Sequence, residues 1–226
     1  MKQMPNFSQY DRTFYENYNY GKGPRSYFMG KSHVLLEKQF SKNDFFENVI
    51  EMGSGVAYHL PYVRHKYTRF VMTDTDDAVM DELGKMVFPE NIAIKKLDGG
   101  LELPYSDNTF DRLIASHVLE HIHHPEIILR EWSRIVKKDG IISLALPCDP
   151  GISWRFGRMF GRKAAQKKGM KEYDLIMALQ HVNPINVLIA IIEYFFPDKK
   201  EIFWPFGLRS IDLNFFYIVH IQNTKD

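Results

Sequence analysis

The chain has 226 residues, 45% of them hydrophobic, with 29 Lys and Arg against 28 Asp and Glu for a formal net charge of +1. That length and apolar content suffice for one full hydrophobic core, and the balanced charge excludes the global basicity of a nucleic-acid-binding domain. The single cysteine, Cys148, excludes an intrachain disulfide and a thiolate metal framework and fits a reducing, cytoplasmic setting.

Residues 1–47 open with Tyr10, Tyr15, Tyr18 and Tyr20 and with Gly21-Lys22-Gly23-Pro24, then take a helical pattern from about Ser26 to Phe40. No positively charged leader precedes an apolar core, so no secretion signal is expected. An aromatic segment of this kind packs either as a lid over a ligand or as a cap on the core edge. Val49-Ile50-Glu51-Met52-Gly53-Ser54-Gly55-Val56-Ala57 follows, an apolar strand running into an acidic residue and a Gly-x-Gly turn. Glycines there let the backbone turn sharply and approach a ligand, with N–H groups facing it. Arg69 to Asp74 reads as a second buried strand whose carboxylate, about twenty residues past the glycines, can accept from both hydroxyls of a ribose.

Ile92 to Gly99 is a third strand, closing on Asp98-Gly99. Leu103-Pro104-Tyr105-Ser106-Asp107-Asn108-Thr109-Phe110-Asp111 leads into a fourth, Arg112 to Ser116, which runs on into His117-Val118-Leu119-Glu120-His121-Ile122. Ile127 to Val136 has helical spacing, Lys137 to Gly140 is a turn, and Ile141 to Pro147 is a fifth strand. In the insertion that follows, Arg155, Arg158 and Arg162 fall at i, i+3 and i+7 and would share one helix face, extended by Lys163, Lys167, Lys168 and Lys171. Such a run is either solvated surface or an anchor for an anionic acceptor, since arginine's planar fork grips phosphates in two places. Pro184 forces Asn183 out of helical geometry, so His181 and Asn183 sit at a helix boundary, where Asn183 can cap the next helix. The longest apolar run, Val187 to Phe196, carries Glu193 and is too short to span a bilayer. Ile211 to Ile221 is β-rich, and Glu201 to Trp204 can pair with it as a hairpin.

The run 49–147 resembles the class I S-adenosylmethionine-dependent methyltransferases, particularly the small bacterial type 11 group. The likeness rests on the ExGxG loop at 51–55, Asp74, Asp98-Gly99, the LPxxDxxFD stretch and the LEHI stretch. It covers under half the chain, and Ala57 departs from the commoner GxGxG. The resemblance implies an α/β, Rossmann-like, doubly wound three-layer sandwich whose sheet is mostly parallel with an antiparallel C-terminal strand. The single domain would comprise an N-terminal lid (1–47), a cofactor-binding core (48–147), a substrate-side insertion (148–198) and C-terminal strands (199–226). S-adenosyl-L-methionine is the implied cofactor. Gly53 and Gly55 would pass under its methionyl part, with Glu51 ordering the amino group and Asp74 holding the ribose. Asp98 would accept from the adenine amino group and the Gly99 N–H would reach the ring. Ser116 and His117 would lie beside the sulfonium, and Ser54 and Thr75 complete the set.

A sulfonium methyl is already activated, so the chain must orient an acceptor and exclude water. A hydroxyl acceptor gains from a general base, for which His117 and His181 are the candidates. Arg155, Arg158, Arg162 and Tyr20 are the expected substrate contacts. The favoured acceptor is a small polar, anionic molecule, with a sugar or nucleotide-sugar hydroxyl as the acceptor group; the alternative is N-methylation of a phosphorylated amine or lipid headgroup. An NAD oxidoreductase would leave Asp98-Gly99 and LPxxDxxFD without a role, and intact Glu51, Asp74 and Asp98 oppose a silent cofactor-binding or scaffolding domain. His117 and His121, four apart, would share a helix face, but no carboxylate or cysteine completes a ligand set, so no metal is expected and Glu120 and His121 read as structural. The expected partner is a small-molecule acceptor, with no nucleic acid and no transmembrane segment; a homo-oligomer is left open.

Overall fold

A computed structural model describes residues 24–97, 101–167 and 172–224. Seven strands form one sheet: β1 (Phe45–Met52), β2 (Lys66–Asp74), β3 (Ile92–Lys96), β4 (Phe110–Ser116), β5 (Val136–Pro147), β6 (Lys199–Trp204) and β7 (Phe216–Gln222). Their order is β3-β2-β1-β4-β5-β7-β6, parallel through the first five, with β7 antiparallel to both β5 and β6. The central strands carry continuous apolar segments, Val49-Ile50, Phe70-Val71-Met72 and Leu113-Ile114-Ala115, because both faces are covered there. Adjacent residues alternate between the two layers. Ile50, Val71 and Leu113 pack with Trp132 on one face, while Val49, Met72 and Ile114 pack with Leu36 on the other. The helices are α1 (Pro24–Leu36), α2 (Asp77–Leu83), α3 (Pro125–Ile135), α4 (Ile152–Lys167), α5 (Tyr173–Gln180) and α6 (Ile185–Phe195). The doubly wound three-layer architecture and the antiparallel closing strand are those expected.

Several boundaries differ, each for a long-range reason. The expected turn at 137–140 lies inside β5, which starts at Val136; Asp139 takes a positive φ of 62° and its N–H donates to the Asn223 carbonyl, so the irregularity is absorbed by pairing with the C-terminus. Residues 211–215 are loop rather than strand, because Asn214 accepts from the Phe206 N–H and donates to the Leu208 and Ser210 carbonyls. Asn183 is not a helix cap: its side-chain amide donates to the Leu119 and Ile122 carbonyls, clamping the single helical turn Leu119–His121. His117 and His121 do not share a helix face, since His117 follows directly on β4 with φ 59°, before that turn begins. The stretch Tyr173–Phe195 is apolar and long enough on composition to cross a membrane. It is broken at 181–184 into helices of 8 and 11 residues, and a span needs about 20.

One buried ion pair fixes α1 to the sheet. Glu37, just past α1, accepts from Arg112 Nη2 at 2.6 Å, His59 Nε2 at 3.1 Å and the Arg64 N–H at 3.2 Å, and its side chain and that of Arg112 have no exposure. The Arg112 guanidinium also stacks 3.8 Å from the Phe40 ring centroid. Burial alone would raise the Glu37 pKa, but the His59 hydrogen bond and the Arg112 charge override it and hold the carboxyl at about 2.

Removing Arg112 strands a buried carboxylate, so Arg112→Met should cost about 3–5 kcal/mol in urea unfolding, while adding Glu37→Leu should recover most of that loss. Glu37 contributes stability above its ordinary 4.5, and that contribution is lost as pH falls toward 2. His65 and His220 are lowered from 6.5 to about 4 and about 3, first by burial and then by Arg112. Because both are held neutral in the fold, stability should start to decline below pH 6.5, before Glu37 contributes to the loss; equilibrium unfolding at stepped pH reads this order.

Candidate active site

The loop after β1 turns through three residues of positive φ: Gly53 at 65°, Gly55 at 52° and Ala57 at 62°. A Cβ on Gly53 would lie 2.6 Å from Val118 Cγ2, so only glycine fits there. The loop is held by its neighbour strand, the Ser54 N–H donating to the Thr73 carbonyl at 2.9 Å and the Gly55 N–H to Asp74 Oδ2 at 3.0 Å. Asp74 Oδ1 accepts from the Asp76 N–H at 3.1 Å. These bonds take two of a carboxylate's roughly four acceptor sites, leaving the rest for a ligand.

A cavity of about 710 Å³ opens above the carboxyl ends of the parallel strands, and Glu51, Gly53, Ser54, Gly55, Asp74 and Thr75 line it together with Ser116 and His117. Tyr20, Asp98 and Gly99 lie outside the described residues; Leu97 and Leu103, which flank residues 98–100 in the sequence, contribute to the wall. Glu51 is buried, and Glu51 Oε2 and Ser116 Oγ have no hydrogen-bond partner among the described residues. Burial first, then the charges of Glu37 and Asp74, push the Glu51 carboxyl up to about 8. A buried acid in that state is short of a cation.

Histidines cluster at the other wall. His117 is engaged on both sides, Nε2 2.9 Å from Ser32 Oγ and Nδ1 3.5 Å from Glu120 Oε1. His121 differs. Its Nδ1 is 2.8 Å from the Gln180 carbonyl, which can only accept, so Nδ1 carries the hydrogen and Nε2 keeps the lone pair. Nε2 lies 3.9 Å from Glu120 Oε1. Burial, despite the Glu120 charge, lowers the His121 pKa, whereas Glu120 is lowered against its own burial by the His117 hydrogen bond and the His121 charge. His181 is outside the cavity wall; its Nδ1 is 2.8 Å from Asp149 Oδ2, and its ring stands edge-on to His121 at 5.0 Å.

The three arginines share a helix but no ligand space. Arg158 is paired with Asp149 and Arg162 with Asp174 at 2.9 Å, Arg155 is exposed, and none lines the cavity. Sequence reasoning missed Tyr58, His33 and Ser32: Tyr58 and His33 contribute to the wall, and Ser32 meets it through His117. No local motif marked them: Ser32 and His33 reach the site through the packing of α1 on the sheet, to which the Glu37–Arg112 pair contributes, and Tyr58 lies in the irregular segment after the glycine loop. Among the described residues no group of His, Cys, Asp and Glu is placed to hold a metal ion.

Residues 50–144 match the model of the family described as methyltransferase domain. Over 97 residues the chain is 26% identical to an uncharacterized methyltransferase of Mycobacterium leprae (strain Br4923), a match covering 43% of this chain and 36% of that protein. The chain thus spans well under half the length of the curated relative it matches. Among solved structures, a chain of the complex between the Haloferax volcanii Trm112 methyltransferase activator and a protein provisionally described as a methyltransferase superposes with a TM-score of 0.65 at 12% identity, covering 99% of this chain and 100% of that one. A Methanococcus maripaludis protein provisionally described as an S-adenosyl-L-methionine-dependent methyltransferase gives 0.63 at 16% identity, covering 100% and 98%. The strand order, the glycine loop under the cavity and the match at 50–144 agree: the chain has the Rossmann-like fold of the class I S-adenosylmethionine-dependent methyltransferases, and its residues 50–144 match the methyltransferase-domain model.

Proposed function

We propose that this chain transfers a methyl group from S-adenosylmethionine to a hydroxyl of a small polar acceptor, a sugar hydroxyl being the favoured case. The observation that carries the cofactor reading is Glu51 Oε2, a buried carboxylate oxygen without a partner, in the same cavity wall as the Cβ-free cradle at Gly53. S-adenosylmethionine supplies a methyl already activated on a sulfonium, so the residues have only to bind, orient and keep water out. Glu51 would pair with the amino group, the 53–55 loop would allow close backbone approach, and Asp74 would accept from the ribose hydroxyls with its remaining lone pairs. By family resemblance Asp98 and Gly99 would hold the adenine.

His121 is the base we assign to the acceptor side. The Gln180 carbonyl fixes its tautomer, Nε2 is the basic nitrogen, and the positive charge formed when it takes a hydroxyl proton would lie beside Glu120. His117, tied to Ser32 and Glu120, would hold α1 over the reacting centre; His181, against Asp149, would brace the His121 ring. An amine acceptor arriving neutral would need no base, which gives N-methylation a different signature.

Titration with S-adenosylhomocysteine in buffers of different ionisation enthalpy tests the cofactor reading. Below pH 8 the free protein holds a proton on Glu51, so pairing it with an ammonium should release that proton, and the release should vanish above pH 8. Glu51→Gln should abolish the release and weaken binding by about 1–3 kcal/mol. Absence of binding by the native chain would indicate a silent scaffold instead.

His121→Ala should lower kcat on a hydroxyl acceptor by roughly 10²–10⁴-fold and remove the acidic limb of the pH–rate profile, with cofactor affinity unchanged. Transfer that survives this substitution at all pH values would assign the acceptor as an amine.

A further inference from the structure

The outward face of α4 is apolar where a solvated helix would be polar. Trp154, Arg158 and Ala165 turn inward, the Trp154 ring lying 6.0 Å from Phe216, Arg158 bound to Asp149, and Ala165 fully buried. At 3.6 residues per turn, 152, 156, 159, 160, 163 and 167 then fall together on the opposite side. The first four are Ile152, Phe156, Met159 and Phe160, exposed by 59%, 60%, 44% and 56%, with the two phenyl rings edge-to-face at 5.1 Å. The last two are Lys163 and Lys167, which with Arg155 are exposed and have no ion-pair partner among the described residues.

The patch continues beyond the helix. The Ile152 and Ser153 N–H groups donate to Asp212 Oδ1 and to the Asp212 carbonyl, pinning the first turn of α4 to the 205–215 loop, where Phe206, Leu208 and Leu213 are exposed. That loop joins the end of β6 to the start of β7, and β7 begins opposite Pro147, at the carboxyl end of β5. The cavity opens at the same end of the sheet. Leu179 of α5, the helix that packs against α4, is half-exposed and part of the cavity wall.

We infer that the outer face of α4, with the 205–215 loop, docks this protein on an anionic membrane surface and turns the cavity mouth toward the headgroups. Aromatic and aliphatic side chains enter the headgroup and acyl boundary, and Arg155, Lys163 and Lys167, at the margin of that apolar face, reach the lipid phosphates. Charge complementarity selects the occupant. An apolar patch beside three unpaired cations suits an anionic bilayer, whereas a second copy of this chain would bring the same cations against themselves. Docking of this kind does not depend on methyl transfer and can be read without cofactor.

Flotation of the purified chain with phosphatidylcholine vesicles containing about one third phosphatidylglycerol is the test, with pure phosphatidylcholine vesicles as the comparison. Binding should favour the anionic vesicles and weaken with salt. Phe156→Ser with Phe160→Ser, and separately Lys163→Glu with Lys167→Glu, should each lower the partition coefficient by about tenfold or more. Because all four side chains are on the surface, unfolding midpoints and S-adenosylhomocysteine affinity should stay at the native values. Failure of the native chain to float, or flotation untouched by either pair of substitutions, would overturn the proposal. So would a dimer in light scattering that Phe156→Ser with Phe160→Ser dissolves, since the face would then be an interface between copies.

Discussion

A carboxylate placed where no water reaches must be surrounded by donors, and Glu37 draws its three from separate parts of the chain: His59 and Arg64 from the segment between β1 and β2, and Arg112 from β4. Their convergence locks α1 onto the sheet in one register. Ser32 and His33 thereby enter the neighbourhood of the cavity, and the strand that ends at Ser116 is tied to the helix that covers it. The same charge acts at a distance on Glu51, helping to keep that acid protonated. One buried ion therefore both orients the cover of the site and sets the protonation of a group in its wall.

Buried polar atoms without partners among the described residues occur in the core, as at Arg112 Nη1, His65 Nε2 and His220 Nε2, as well as around the cavity. Glu51 Oε2, Ser116 Oγ and Glu120 Oε2 are buried without partners among the described residues. Each forgoes a hydrogen bond, at a cost of about 1–3 kcal/mol. Asp74 shows the opposite economy, since the carboxylate that would serve the ribose also holds the Gly55 and Asp76 N–H groups in place. Its loss would disturb the loop along with the ligand, so a substitution there reports on both at once.

What was legible in the sequence is what short-range geometry dictates. A sharp turn beneath a ligand demands glycine at 53, and a strand covered on both faces demands the apolar runs at 49–50, 70–72 and 113–115, so those features stand in the chain at fixed spacing. The sequence carries no sign of the fixed tautomer of His121, because a carbonyl 59 residues away confers it. The arginines of α4 share a face as their spacing implies, but which of them stay free depends on Asp149 and Asp174 across the fold. The extent of β7 was overestimated because Ile211 and Leu213 have strand propensity, while Asn214 bonds the segment into a loop.

The hairpin of α4 and α5 is tied to the rest of the fold at both of its ends. Asn183 clamps the turn at 119–122 from one side, and Asp212 receives the start of α4 from the other. Neither fastening involves the 53–55 loop or Asp74. Between those two anchors the hairpin can therefore change in length and sequence without moving the glycine loop or Asp74, so the two halves of the cavity wall are free to vary independently.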